Sequence, residues 1–154
     1  MDKNALYRDS SVAIKNARQY QSQISQKKFE VELMSINDKY FSYDYDGVTS
    51  RREIEFSIRD LVNLRDRNIC YSIERALELA LLELEEGNTF SIAYFALNSI
   101  NLFMQLYNIS DIRLSDGLSF RFLRIRELVR QSCSVNIMLR NELAKLATKC
   151  HSWV

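Results

Sequence analysis

The chain has 154 residues, 47% of them hydrophobic, which is enough apolar material for one domain or two small helical lobes and excludes wholesale disorder. It has no proline and only three glycines, Gly47, Gly87 and Gly117, which excludes a turn-rich all-β fold and predicts long helices. The formal charge of +1 excludes a uniformly basic or acidic surface, yet it hides two basic segments: residues 1–28 carry six basic against two acidic residues, and residues 111–154 carry eight against four.

Along the chain, Val12, Ala13, Ala17, Tyr20 and Ile24 predict a helix from about Asn4 to Lys27. The stretch "FEVELMSINDKYFSYDY" allows two readings. Its alternation around "NDK" is a hairpin signal over residues 28–45, whereas the scarcity of other strands favours a helix continuing to about Tyr40. In "TSRREIEF", Ser50 and Glu53 have capping-box spacing and predict a helix start. Ile54, Ile58 and Leu61 then share one face, and Arg52 and Arg59 the opposite one.

The apolar pattern shifts at "RDRN", Arg65 to Asn68, which predicts a break and a new helix from Ile69 to Glu86. Ile69, Ile73, Ala76, Leu77, Ala80 and Leu84 are its core face, and Leu79 and Leu82 predict cover on a second side. Gly87 suits the left-handed position that closes a helix, and Asn88 can cap the next. The acidic run Glu83 to Glu86 stands where the helix dipole disfavours it, reading as solvated surface or as a partner for basic groups.

"NTFSIAYFALNSINLFMQLYNIS" is uncharged, but Asn98, Ser99, Asn101 and Gln105 interrupt it, so a buried central helix is expected rather than a membrane span. Tyr94, Asn98, Asn101 and Gln105 form one stripe. Its amides need partners, either polar groups of another helix or a second subunit. "FRFLRIRELVR" lies in a predicted helix from about Leu118 to Cys133, and a final helix capped by Ser134 has Val135, Leu139, Leu143, Leu146 and Cys150 as its seam.

Enzyme chemistry is nearly absent from the sequence. There is no glycine-rich phosphate loop, no cluster of metal-ligand spacing and a single histidine, His151. Cys70, Cys133 and Cys150 are odd in number and widely spaced, which predicts reduced thiols and no structural disulfide. The carboxylate pairs Glu30 with Glu32 and Asp44 with Asp46 share a face only in an extended segment. No catalytic residue, metal or cofactor is expected. "MDKNALYRDS" lacks an apolar signal core, so a cytoplasmic location is expected.

The arginines carry the functional expectation. In the "FRFLRIRELVR" helix, Leu118, Phe122, Ile125 and Val129 form the core stripe, with Arg126 and Arg130 on one side and Arg121 and Arg124 on the other. Arginine stems can simply cover the edge of a core. Phe120 and Leu123, however, project away from it, giving an outer face both apolar and basic.

The expected fold is all-α, a bundle of five to seven helices in a single domain, with subdivision near residues 47–50 as an alternative. The expected function is non-enzymatic binding of nucleic acid, RNA more than DNA, through contacts to RNA or to a duplex backbone made by Arg52, Arg59, Arg121, Arg124, Arg126 and Arg130 on arginine-rich helical faces. Self-association through Asn98, Asn101, Gln105, Phe120 and Leu123 is expected with it. The alternative is a helical adaptor, chaperone or inhibitor that uses the same surface on an acidic protein partner. No membrane association is expected.

Overall fold

The computed structural model describes residues 2–41, 47–87, 91–132 and 137–152. Among them are five helices, α1 (Lys3–Phe41), α2 (Gly47–Glu86), α3 (Ser91–Leu106), α4 (Asp116–Gln131) and α5 (Ile137–Lys149), and two short strands, β1 (Ile112–Leu114) and β2 (Cys150–Ser152). The all-α expectation holds, and five is the lower end of the expected range. The Ser134 cap, Asn88 and Val135 fall outside the described residues, as does Cys133.

Two expectations about helix ends are corrected. Residues 28–41 continue α1, so the hairpin reading fails over that span and the helical one stands. In α2 there is no break at Arg65 to Asn68, and the helix is already formed at Gly47, so Ser50 lies inside it. The pattern shift has another cause. The chain divides into two compact units, residues 16–67 and residues 1–15 with 68–154, and the boundary falls between Arg67 and Asn68. The apolar face of α2 changes there because its packing partners change, while its hydrogen-bond ladder runs on. The division therefore crosses α1 and α2.

In the unit of residues 16–67, the α1 and α2 segments bury Ala17, Ile24 and Leu61. Gln21 accepts a hydrogen bond from Arg65 at 2.8 Å, which gives that inward arginine a partner. Arg65 also pairs with Asp66 at 3.0 Å. Burial pushes the Asp66 carboxyl above its ordinary range, partly offset by Arg65.

The unit of residues 1–15 and 68–154 holds the larger core. Ile69, Ile73, Leu77 and Ala80 of α2 are fully buried, and so is Leu79, in agreement with cover on a second side. Leu97, Ile100 and Met104 of α3 and Leu139, Leu143 and Leu146 of α5 are buried in this core, where the two helices pack together. The α4 stripe of Leu118, Phe122, Ile125 and Val129 is buried, as its spacing predicted. Ser10 and Ser72 join the α1 and α2 backbones through a 2.9 Å hydroxyl contact and reciprocal bonds to each other's carbonyls.

Helix ends are closed by identifiable groups. Gly87 takes φ +69, the left-handed conformation its position suggested. Asn108, at φ 53, does the same for α3: its N–H bonds Gln105 and that of Ile109 bonds Met104, the paired closure of a Schellman motif. The Ser115 side chain accepts from the Leu118 N–H at 3.2 Å and caps α4. Glu83 is not solvated surface. It is 1% exposed and accepts the backbone N–H of Ala93 at 2.7 Å, so a carboxylate from α2 caps the first turn of α3.

β1 and β2 pair in parallel, Ile112 with Cys150 and Leu114 with Ser152, with α4 and α5 as the crossover. Ile112 and Leu114 are buried and Arg113 is exposed, so β1 anchors the start of α4 to the end of α5.

Candidate nucleic-acid interface on α4 and α5

The α4 helix places its side chains as the spacing required. Phe120 and Leu123 are 69% and 57% exposed, and all four arginines face outward. Their surroundings differ. Arg121 lies 3.3 Å from Glu78 and 3.5 Å from Glu74, so it is tied to α2. Arg130 pairs with Glu127 at 2.8 Å, one turn away. Arg124 and Arg126 have no side-chain partner among the described residues.

Arg126 and Arg130 meet a third arginine that the sequence reading left out. Arg140 of α5 donates to the Arg130 backbone carbonyl at 2.9 Å. This bond satisfies a carbonyl of the last turn of α4 and places a cation where the helix dipole favours one. Arg126, Arg130 and Arg140 line one open cleft of about 410 Å³. Leu123, Asn141, Leu143 and Ala144 line it as well, and Glu127 is its one acidic residue among the described residues. The pattern "MLRNELAK" contained the signal, because Arg140 and Asn141 follow the buried Leu139 and must face away from the core.

Arg124 and Arg121 line a separate cavity of about 290 Å³ with Glu78, Leu81 and Ile125. Arg52 and Arg59 belong to the other unit, where they line a cavity of about 290 Å³ with Glu55 and Phe56. The Arg59 guanidinium is 5.9 Å from the centre of the Phe56 ring. The six arginines named from sequence thus fall into distinct local groups.

The amide stripe of α3 also divides. Asn98 and Asn101 donate to the Glu142 carboxylate of α5 at 3.2 and 2.8 Å, and Asn101 donates to the Glu142 carbonyl at 2.9 Å. Their partners are therefore polar groups of another helix of the same chain. Asn101 is 3% exposed, whereas Gln105 is exposed. Burial pushes the Glu142 carboxyl up, but hydrogen bonds from Asn101, Lys145 and Asn98 outweigh it and hold the group below its ordinary value. The large apolar groups on the outer face of α3 are instead Phe95, Leu102 and Leu106, at 57%, 55% and 72% exposure.

A second, smaller cavity of about 130 Å³ adjoins the arginine cleft, sharing Leu123 and Arg126 with it. Cys150 and His151 of β2 line it. Burial pushes the Cys150 thiol up to about 12, so it stays protonated near neutral pH and is a poor nucleophile there. The His151 Nε2 lies 2.6 Å from Asp111. Among the described residues no three of His, Cys, Asp and Glu are grouped as metal ligands, and no helix is long and apolar enough to cross a membrane. No family model, curated protein or solved structure matches the chain.

Proposed function

We propose that this protein binds single-stranded RNA, without catalysis, in the cleft between α4 and α5. The observation that carries the proposal is that Arg126, Arg130 and Arg140 line one cleft with a single acidic residue among the described residues. Three guanidinium groups lining one cleft outnumber its one carboxylate, and a bound phosphate balances that charge while accepting paired N–H donors. Arginines gathered at one cleft, rather than spaced along an extended face, suit a flexible backbone better than a duplex. Exposed Phe120 gives an unpaired base a surface to stack on. Asn141 can donate to and accept from a ribose 2′-hydroxyl, which favours RNA over DNA.

Three phosphate contacts predict a slope of log K against log salt of about −2 for a single strand, or about a 20-fold loss of affinity between roughly 50 and 200 mM salt. Fluorescence anisotropy with a labelled single-stranded RNA tests this. Arg126→Gln, Arg130→Gln and Arg140→Gln together should bring the slope close to zero. No parent binding at low salt, or a triple variant that binds like the parent, refutes the proposal.

An adaptor function is the second reading, favoured by the exposed Phe120, Leu123, Ile137 and Met138 on α4 and α5. Its partner would be an acidic protein, and its binding would outlast salt that removes RNA. Self-association is proposed through the outer face of α3. That helix carries no charged residue, so a second copy can lie against Phe95, Leu102 and Leu106 without burying an unpaired charge.

A further inference from the structure

We infer that the small cavity beside the arginine cleft is a pocket for one pyrimidine ring, with the phosphate of the same nucleotide in the cleft. The inference deepens the RNA-binding reading and rests on it for the position of the phosphate. Ser119 supplies the first observation. It is 7% exposed, lines the cavity, and its Oγ has no hydrogen-bond partner. Buried hydroxyls are ordinarily bonded, and an unpartnered one on a residue bordering a cavity is a hydrogen-bonding position for a ligand that enters deeply enough to meet it.

Size gives the second observation. The cavity measures about 130 Å³. An apolar cavity of about 150 Å³ holds one benzene ring, so this one is closer in size to a single six-membered ring than to the two fused rings of a purine. Leu114, Phe122 and Leu123 offer apolar wall to the faces of such a ring. The polar groups give the third. Among the described residues no carboxylate lines the cavity, and the Arg126 guanidinium, which lines it, has no partner. A ring carbonyl beside the glycosidic bond, which uracil and cytosine share, accepts one N–H of Arg126, whose other donors remain for the phosphate, and the Ser119 hydroxyl serves either base because it both donates and accepts. Since Arg126 and Leu123 border both spaces, a ring here lies next to a phosphate among Arg130 and Arg140.

The test compares ten-nucleotide oligouridylate and oligoadenylate at low salt, with uridine monophosphate as a separate ligand observed by NMR. The parent should prefer oligouridylate at least about fivefold. Ser119→Ala, which removes an unpartnered hydroxyl and leaves folding intact, should lose about three- to tenfold on oligouridylate alone. Ala147→Leu, which fills the cavity from α5, should abolish the preference while leaving the salt slope unchanged, with circular dichroism as the check on folding. Equal binding of the two oligomers with the expected salt slope overturns the pocket and leaves the RNA-binding reading standing. Uridine monophosphate binding that depends on Ser119, without binding of either oligomer, supports the pocket and overturns the RNA reading. Absence of binding by all three ligands overturns both.

Discussion

Replacing Asn101 by leucine tests the polar joint between α3 and α5. Leucine has the same branched four-heavy-atom skeleton as asparagine, so the change removes the hydrogen bonds and adds the bulk of two methyl groups at a buried site. Two bonds from the Asn101 amide are lost, one to the Glu142 carbonyl and one to its carboxylate. The first is worth about 1 kcal/mol and the second, to a charged group, about 1.5–3 kcal/mol. The Asn101 Oδ1 has no partner, so its removal returns part of the loss. Glu142, 2% exposed, keeps only Asn98 and Lys145 as side-chain partners. A net loss of about 2–4 kcal/mol follows, or a fall in melting temperature of about 5–15 °C for a chain of this size.

The same joint fixes the pH dependence. Glu142 is held below its ordinary value in the folded state, so its contribution is fully present above the unfolded value of 4.5 and is lost as pH falls through the lower folded value. The difference between parent and Asn101→Leu should be largest at neutral pH and shrink below about pH 4.5. Thermal unfolding followed by circular dichroism between pH 7 and pH 3 measures it. A difference under about 2 °C at pH 7, or one that does not change with pH, refutes the reasoning.

Glu83 gives a contrasting case. Burial raises its carboxyl above the ordinary value, against hydrogen bonds from the Ala93 and Ile92 backbone, so the protonated form is favoured by folding and ionisation costs stability as pH rises through that range. Glu83→Gln, which keeps an acceptor for Ala93, should match or exceed the parent at pH 7 in urea unfolding, while Glu83→Ala should lose about 1–2 kcal/mol. Cys70 and Cys150 are thiols, so adding a reductant should leave the melting temperature unchanged; a fall of about 10 °C would show a structural disulfide. Light scattering at tens of micromolar should give at least a dimer mass for the parent and a monomer for Leu102→Glu; a monomeric parent removes the α3 contact.

What was legible in the sequence followed the strength of local periodicity. The α4 stripe of Leu118, Phe122, Ile125 and Val129 repeats at helical spacing and is buried as read. At Arg65 to Asn68 the pattern was real but its meaning was not local, because a helix can change packing partners without ending. β1 and β2 have three residues each, too few for an alternation to register. Glu142 was missed although Asn98 and Asn101 required a partner. An acid between Leu139 and Leu143 on a buried face was the matching signal, hidden because the two halves lie 41 residues apart. Arg140 was missed for a similar reason. The cleft joins two helices, and neither alone spaces the arginines as a group. Glu83 sat in an acidic run that looked solvated, and only the position of the first turn of α3 reveals its function.

The central claim is that RNA lies on α4 and α5, and ultraviolet crosslinking with 4-thiouridine-substituted single-stranded RNA, read by peptide mass spectrometry, tests it most directly. The account predicts crosslinks within Asp116–Gln131 and Ile137–Lys149, with Phe120 among them, reduced when Arg126, Arg130 and Arg140 are changed to glutamine. Crosslinks confined to residues 16–67, or an unchanged pattern in the triple variant, would contradict it.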